Sequence, residues 1–131
     1  MKEHHCEAFI ITHGDLASAL LTAAEGIVGK QHHIHIFSNK KDSLTVLSDK
    51  ITKILGEVRN NHIIFFVDLI GGSCCTLANM LRKKNRKIVI LTGVNLPMLI
   101  SYFMNRQEMN FTDLVKKVKD DGNRGIELKI D

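Results

Sequence analysis

Four short apolar runs, each followed by a longer amphipathic stretch, constrain this chain more than anything else in it. The first run extends from Cys6 to Thr12. The third, Ile63-Ile64-Phe65-Phe66-Val67, is the most apolar stretch in the sequence. A near-continuous apolar strand has no polar face to offer to water, so it suits a parallel sheet covered on both sides. In the first intervening stretch the apolar positions are Leu16, Ala19-Leu20, Ala23-Ala24 and Ile27-Val28. In the second they are Leu44, Leu47, Ile51, Ile54-Leu55 and Val58. That three-to-four spacing marks the single buried stripe of a helix. Strand and helix alternating in this way predict an open, mostly parallel, doubly wound α/β sheet.

Local signals place the boundaries. The first helix starts near Asp15 and ends at Gly29. The second strand covers His33 to Phe37, and Asp42 or Ser43 caps the second helix. The third strand ends in Asp68, Leu69 to Ser73 is a tight turn, and a helix covers Cys74 to Lys84. The fourth strand covers Lys87 to Thr92. Pro97 sits in the first turn of the next helix, where its missing N–H costs little, and that helix ends near Asn105. A last helix begins at Asn110-Phe111-Thr112-Asp113, turns Leu114, Val115 and Val118 inward, and stops at Gly122. The tail from Gly125 to Ile130 alternates strictly, which predicts a half-exposed C-terminal edge strand, antiparallel to the rest. At 131 residues, with no linker, repeat or low-complexity segment, residues 1–131 form one domain.

In open α/β sheets the ligand site lies beyond the carboxyl ends of the strands. That rule selects Thr12-His13-Gly14, Asp68 to Ser73, and Thr92 to Asn95. His13 and Asp68 each end a predicted strand. If strands one and three are neighbours, the carboxylate can bond one imidazole nitrogen and leave the other as a nucleophile. Gly14 leaves room for a phosphate-sized group near the backbone. Gly71-Gly72-Ser73 stands just before a helix, where backbone N–H groups and a hydroxyl form an anion cradle. Positioning and charge stabilisation are what phosphoryl transfer asks for. Each element alone is a common strand end, cap or turn; the signal is their coincidence on one edge. No Gly-x-Gly-x-x-Gly, no Gly-x-x-x-x-Gly-Lys-Ser/Thr and no Gly-x-Ser-x-Gly frame is present.

Composition removes other classes. Hydrophobic residues make up 44% and charged residues 24%, an ordinary globular balance. No apolar stretch approaches the roughly 20 residues that cross a bilayer. The N-terminus lacks a signal peptide's apolar region, so a cytoplasmic protein is expected. Cys6, Cys74 and Cys75 are odd in number and are expected to be free thiols, with no second pair at zinc spacing. The net charge of +4 includes one dense run, Arg82, Lys83, Lys84, Arg86 and Lys87. Without interleaved aromatics this run suits a solvated helix C-terminus better than a nucleic-acid surface. His33 and His35 would share one strand face, but strand starts lie at the opposite edge from the site. No functional metal is expected there, at His4-His5, or at His62.

The chain resembles the enzyme IIA domain of the mannose-type (mannose, fructose and sorbose) sugar phosphotransferase system. Three segments carry the resemblance: Ile11-Thr12-His13-Gly14-Asp15-Leu16-Ala17, Val67-Asp68-Leu69-Ile70-Gly71-Gly72-Ser73, and Gly93-Val94-Asn95-Leu96-Pro97-Met98-Leu99. It covers nearly the whole chain. It implies that His13 accepts a phosphoryl group from the phosphohistidine of the carrier HPr and passes it to enzyme IIB. Membrane components IIC and IID would then admit the sugar. Asp68 would orient and stabilise the imidazole, and Ser73 would hold the phosphate. No metal or organic cofactor is implied. A homodimer that exchanges its C-terminal strand is implied, and a terminal strand is well suited to exchange. The chain departs from the family pattern at Ile11, where relatives have Gly, at Leu69 and Ile70, where Thr and an aromatic are usual, and at Cys74, where proline often follows the serine. These changes bear on partner affinity and sugar class. An alternative role is a regulatory domain of a sugar-operon transcription activator, which would take phosphate without passing it to a IIB. A generic flavodoxin-like domain would instead bind a small anion without covalent transfer.

Overall fold

A computed structural model describes residues 6–59 and 62–131. The elements in order are β1 (Glu7–Thr12), α1 (Leu16–Val28), β2 (Ile34–Ser38), α2 (Leu44–Glu57), β3 (Ile63–Val67), α3 (Ser73–Lys84), β4 (Ile88–Leu91), α4 (Leu96–Asn105) and α5 (Phe111–Arg124). The expected alternation is present, with boundaries within one or two residues of those read from the sequence. The four strands form one parallel sheet in the order β2-β1-β3-β4. β1 therefore lies between β2 and β3, with Ile11 level with Phe37 on one side and Val67 on the other.

This order explains the run of apolar residues. Every residue of the two central strands is buried, whereas β2 and β4 are partly exposed. Alternate residues of the central strands feed two layers. Ala8, Ile10, Ile64 and Phe66 pack with Leu99, Tyr102, Leu114 and Val118 beneath α1, α4 and α5. Phe9, Ile11, Phe65 and Val67 pack with Leu47, Ile51, Leu77 and Ala78 beneath α2 and α3. Each fully buried Phe or Ile contributes about 1.5–3 kcal/mol, so the central strands are the most strongly held part of the chain.

Caps follow the sequence signals. Ser43 accepts the Val46 N–H at 3.2 Å, Asn95 accepts the Met98 N–H at 2.9 Å, and Asn110 accepts the Asp113 N–H at 2.9 Å. Pro97 lies in the first turn of α4. Arg82, Lys83 and Lys84 occupy the last turn of α3, where cations suit the helix dipole.

Two expectations require correction. Gly122 does not stop the last helix; α5 continues to Arg124, and Gly122 is buried within it. Its role is close approach: a Cβ there would lie 2.6 Å from Met98 Cγ and 3.0 Å from Met98 Cε. The tail is not an edge strand of this sheet. Residues 126–131 have no regular structure, and Ile126, Leu128 and Ile130 are 79–80% exposed. Alternation identified a strand-like pattern, but among the described residues of the single chain this segment pairs with no strand.

Replacing Gly122 tests the α4–α5 contact. Alanine gains about 1 kcal/mol of helix propensity, which offsets much of the crowding. In Gly122→Leu the crowding wins and is expected to cost about 1–3 kcal/mol in urea unfolding. A leucine variant as stable as the parent would remove the close-packing explanation.

Candidate functional site

β1 and β3 run side by side and in the same direction, so Thr12-His13 and Asp68 emerge together at the carboxyl edge of the sheet. The Asp68 carboxylate binds His13 twice: Oδ2 accepts the His13 backbone N–H at 2.8 Å and lies 2.6 Å from ring Nδ1. Oδ1 accepts the Leu69 N–H at 2.9 Å. The Asp68 side chain is 6% exposed and that of His13 is 44% exposed, so the carboxylate is sheltered while the ring reaches solvent. Burial acts to raise the Asp68 carboxyl, but the His13 backbone and ring hydrogen bonds, the His13 charge and the Leu69 N–H together hold it below the usual carboxylate range. An ionised carboxylate only accepts, so Nδ1 carries the hydrogen in this pair, and in the neutral ring the Nε2 lone pair is directed away from Asp68.

Nε2 lies 3.1 Å from Ser73 Oγ. Ser73 is the first residue of α3, whose N-cap Gly72 has no side chain and whose first turn holds no acidic residue. The positive end of the α3 dipole therefore faces the ring with no acidic residue of its own helix beside it. Gly72 permits this approach: a Cβ there would be 3.3 Å from His13 Cε1 and 3.3 Å from Leu69 Cγ. Gly71, at φ 81°, completes the turn. Gly14 has φ 56°, and its N–H is already donated to Asn39 Oδ1 at 3.3 Å. Gly14 thus shapes the histidine loop, and its N–H is already engaged.

Several supports were not singled out in the sequence. The end of β2 braces the histidine loop: Ser38 Oγ donates to the Gly14 carbonyl at 2.5 Å, and the Asn39 N–H donates to the Thr12 carbonyl at 3.3 Å. The buried Thr12 hydroxyl accepts the Ala17 N–H at 2.8 Å and secures the start of α1. A polar pair closing a strand at the carboxyl edge was the available signal, and it reads only as a loop. The third loop belongs to the scaffold. The Val94 N–H donates to the Val67 carbonyl at 3.0 Å, and Asn95 caps α4 while donating to the Gly122 carbonyl at 3.4 Å.

The remaining histidines lie elsewhere. Glu7, buried at the start of β1, meets His33 Nδ1 at 2.7 Å and His35 Nε2 at 2.9 Å at the opposite edge of the sheet. The apolar pattern of β1 concealed this carboxylate. His62 stacks on Phe111. His4-His5 lie outside the described residues. Cys6, Cys74 and Cys75 are free thiols, all buried.

The fold and the site together define a class: an open parallel α/β domain that presents one carboxylate-oriented imidazole to a helix N-terminus. A family model described as "PTS system fructose IIA component" matches residues 8–119, and the chain belongs to this mannose-type enzyme IIA family of the phosphotransferase system. It is 27% identical over 109 residues to the PTS system fructose-specific EIIA component of Bacillus subtilis (strain 168), covering 82% of this chain and 75% of that protein. It is 26% identical over 128 residues to the PTS system sorbose-specific EIIA component of Lacticaseibacillus casei, covering 95% of this chain and 93% of that protein. The solved structure of phosphotransferase system component EIIA from Streptococcus agalactiae superposes with a TM-score of 0.86 at 25% identity, covering 93% of this chain and 95% of that one.

Asp68 controls both the ring and the acid response. A carboxyl held below its unfolded value contributes stability that is full above the ordinary carboxylate range, near pH 4, and is lost as pH falls through the lowered folded value. Asp68→Asn should therefore flatten the acid limb of the stability profile. Nitrogen NMR of His13 should show the Nδ1–H form in the parent and a mixture of tautomers in the variant. An unchanged tautomer in Asp68→Asn would show that the carboxylate does not set it.

Proposed function

We propose that the chain is a phosphocarrier that accepts a phosphoryl group from phospho-HPr on His13 Nε2 and passes it to enzyme IIB for sugar uptake. The observation that carries this reading is the His13 ring held between Asp68 on Nδ1 and Ser73 at Nε2. The Nε2 lone pair attacks the donor phosphorus, a new N–P bond forms, and the donor's N–P bond breaks with its electron pair returning to the donor imidazole. The ring gains positive character as Nε2 is substituted. Asp68, sheltered and ionised, offsets that charge through the Nδ1–H bond. The Ser73 hydroxyl turns from Nε2 to a phosphoryl oxygen, and the α3 N-terminus supports the added negative charge. Gly71 and Gly72 keep the approach free of side chains. Transfer to enzyme IIB is the same displacement in reverse, and it needs no metal or organic cofactor.

Partner docking has a suitable surface beside the ring. Leu69 is 52% exposed and Ile70 is 79% exposed, so the carboxylate loop presents apolar side chains next to the nucleophile. These are the positions at which this chain departs from the usual Thr and aromatic pair, and they are the positions that would tune affinity for HPr and enzyme IIB. Among the described residues no helix is long and apolar enough to cross a membrane. The carrier is proposed to act in the cytoplasm and to serve the membrane components IIC and IID only through IIB.

Incubation with phosphoenolpyruvate, enzyme I and HPr should add one phosphate to the chain by mass. His13→Ala should abolish uptake. Asp68→Asn should slow it by about 10²-fold or more, and Ser73→Ala by about 10²-fold. Uptake by His13→Ala would remove His13 from the mechanism. Uptake without onward transfer to any enzyme IIB would favour the regulatory role instead.

The exposed alternating tail suits an exchanged strand in a homodimer, because Ile126, Leu128 and Ile130 would become buried against the partner's sheet. Sedimentation should show a dimer for the full chain and a monomer after removal of residues 126–131. A truncated chain that still dimerises would place the interface elsewhere.

A further inference from the structure

Phosphoryl transfer leaves one nucleophilic group beside His13 without a role. Cys74 follows Ser73 in the first turn of α3 and is fully buried in the layer beneath α2 and α3. Its Sγ, a ring nitrogen of His13 and a carboxylate oxygen of Asp68 all lie within 4.8 Å of one another. An imidazole, a carboxylate and a thiolate are zinc donors, with bonds of about 2.0–2.3 Å. In a tetrahedron with such bonds the donors stand roughly 3.3–3.8 Å apart. The widest possible gap, 4.8 Å, must close by about 1 Å to reach that spacing.

We propose that His13, Asp68 and Cys74 form a binding site for a thiophilic divalent cation, of which Zn2+ is the type, and that the bound cation blocks phosphorylation of His13. Three protein donors leave a fourth, solvent-facing position for water. The donor set selects against Mg2+, which prefers oxygen ligands and sheds its own water reluctantly. A cysteine ligates as its thiolate, so binding displaces the thiol proton to solvent.

Inhibition follows from the chemistry of the ring, whichever nitrogen ligates. A cation on Nε2 occupies the lone pair that would attack phosphorus. A cation on Nδ1 breaks the Asp68 hydrogen bond and leaves the hydrogen on Nε2, which then has no lone pair to give. The cation also takes the Asp68 charge that would stabilise the substituted ring. Only this inhibitory consequence rests on the phosphocarrier reading; the site itself rests on the three donors.

The test separates the two. Co2+ replaces Zn2+ as a spectroscopic probe, and the parent chain should show a thiolate-to-cobalt charge-transfer band. Cys75→Ser should keep the band. Cys74→Ser and Cys74→Ala, each checked for folding by circular dichroism, should lose it and should bind Zn2+ at least about 10-fold more weakly than the parent. His13→Ala should weaken Zn2+ binding similarly. Mg2+ should neither compete nor inhibit. Phosphate uptake in the presence of Zn2+ is then compared with each variant's own rate in chelator. The parent should be inhibited at the Zn2+ concentrations that fill the site, and the Cys74 variants should need about 10-fold more. A band that survives in both Cys74 variants, or equal Zn2+ affinity in parent and variants, overturns the site and leaves binding to surface histidines only. Full phosphate uptake with the site filled overturns the inhibition. If the metal-free parent takes up no phosphate, the phosphocarrier reading fails, and the site is decided by the cobalt band and the Zn2+ affinities.

Discussion

The parallel pairing of β1 with β3 is the contact on which the site depends. It places Ile11 level with Val67, so the next residues of each strand leave the sheet side by side. The Asp68 carboxylate can then hold both the backbone N–H and the ring of His13. The same pairing keeps both strands buried on two faces, which gives the site a rigid base. A change that let β1 slip by one residue would send Phe9 and Ile11 to the opposite layer and separate the histidine from its carboxylate. Packing and chemistry are therefore fixed by one register.

The site contains two opposed demands. In the proposed carrier an imidazole that acts as nucleophile must be exposed, whereas the carboxylate that orients it must be sheltered. The structure meets both with two residues that each directly follow a central strand, His13 after β1 and Asp68 after β3. Exposure falls steeply between the two side chains, although their atoms are 2.6 Å apart. The α3 N-terminus then approaches the ring from the other side, and Gly72 makes that approach possible without displacing His13. Placing a buried thiol one residue further along α3 adds a soft donor to a site otherwise built of nitrogen and oxygen.

Much of this was legible in the residues. Apolar runs and helical stripes marked the strands and helices of the described residues other than the tail, because both signals arise from local periodicity. The cap at Ser43 was readable from its residue type at a helix start, whereas the capping roles of Asn95 and Asn110 came from the structure. The rule that ligands gather at the carboxyl edge singled out His13, Asp68 and the Gly71-Gly72-Ser73 turn. Illegible features depended on contacts distant in sequence. Glu7 carried no signal of its own within an apolar strand; its partners are His35 of β2 and His33 just before that strand. Gly122 looked like a helix stop until α4 was seen to press Met98 against it. The Ser38-Asn39 brace joined the His13 loop only because β2 is the other neighbour of β1.

By itself the sequence determined the element types, the two-sided burial of the central strands and the edge of the sheet that carries chemistry, since each follows from periodicity and chain direction. Tertiary structure alone decided the strand order, the 2.6 Å imidazole–carboxylate contact, and the gathering of Cys74 with His13 and Asp68. It also decided that the alternating tail pairs with no strand among the described residues of its own chain. The physical reason is common to all four: periodicity reports which way a residue faces, but only the packed sheet determines what it faces.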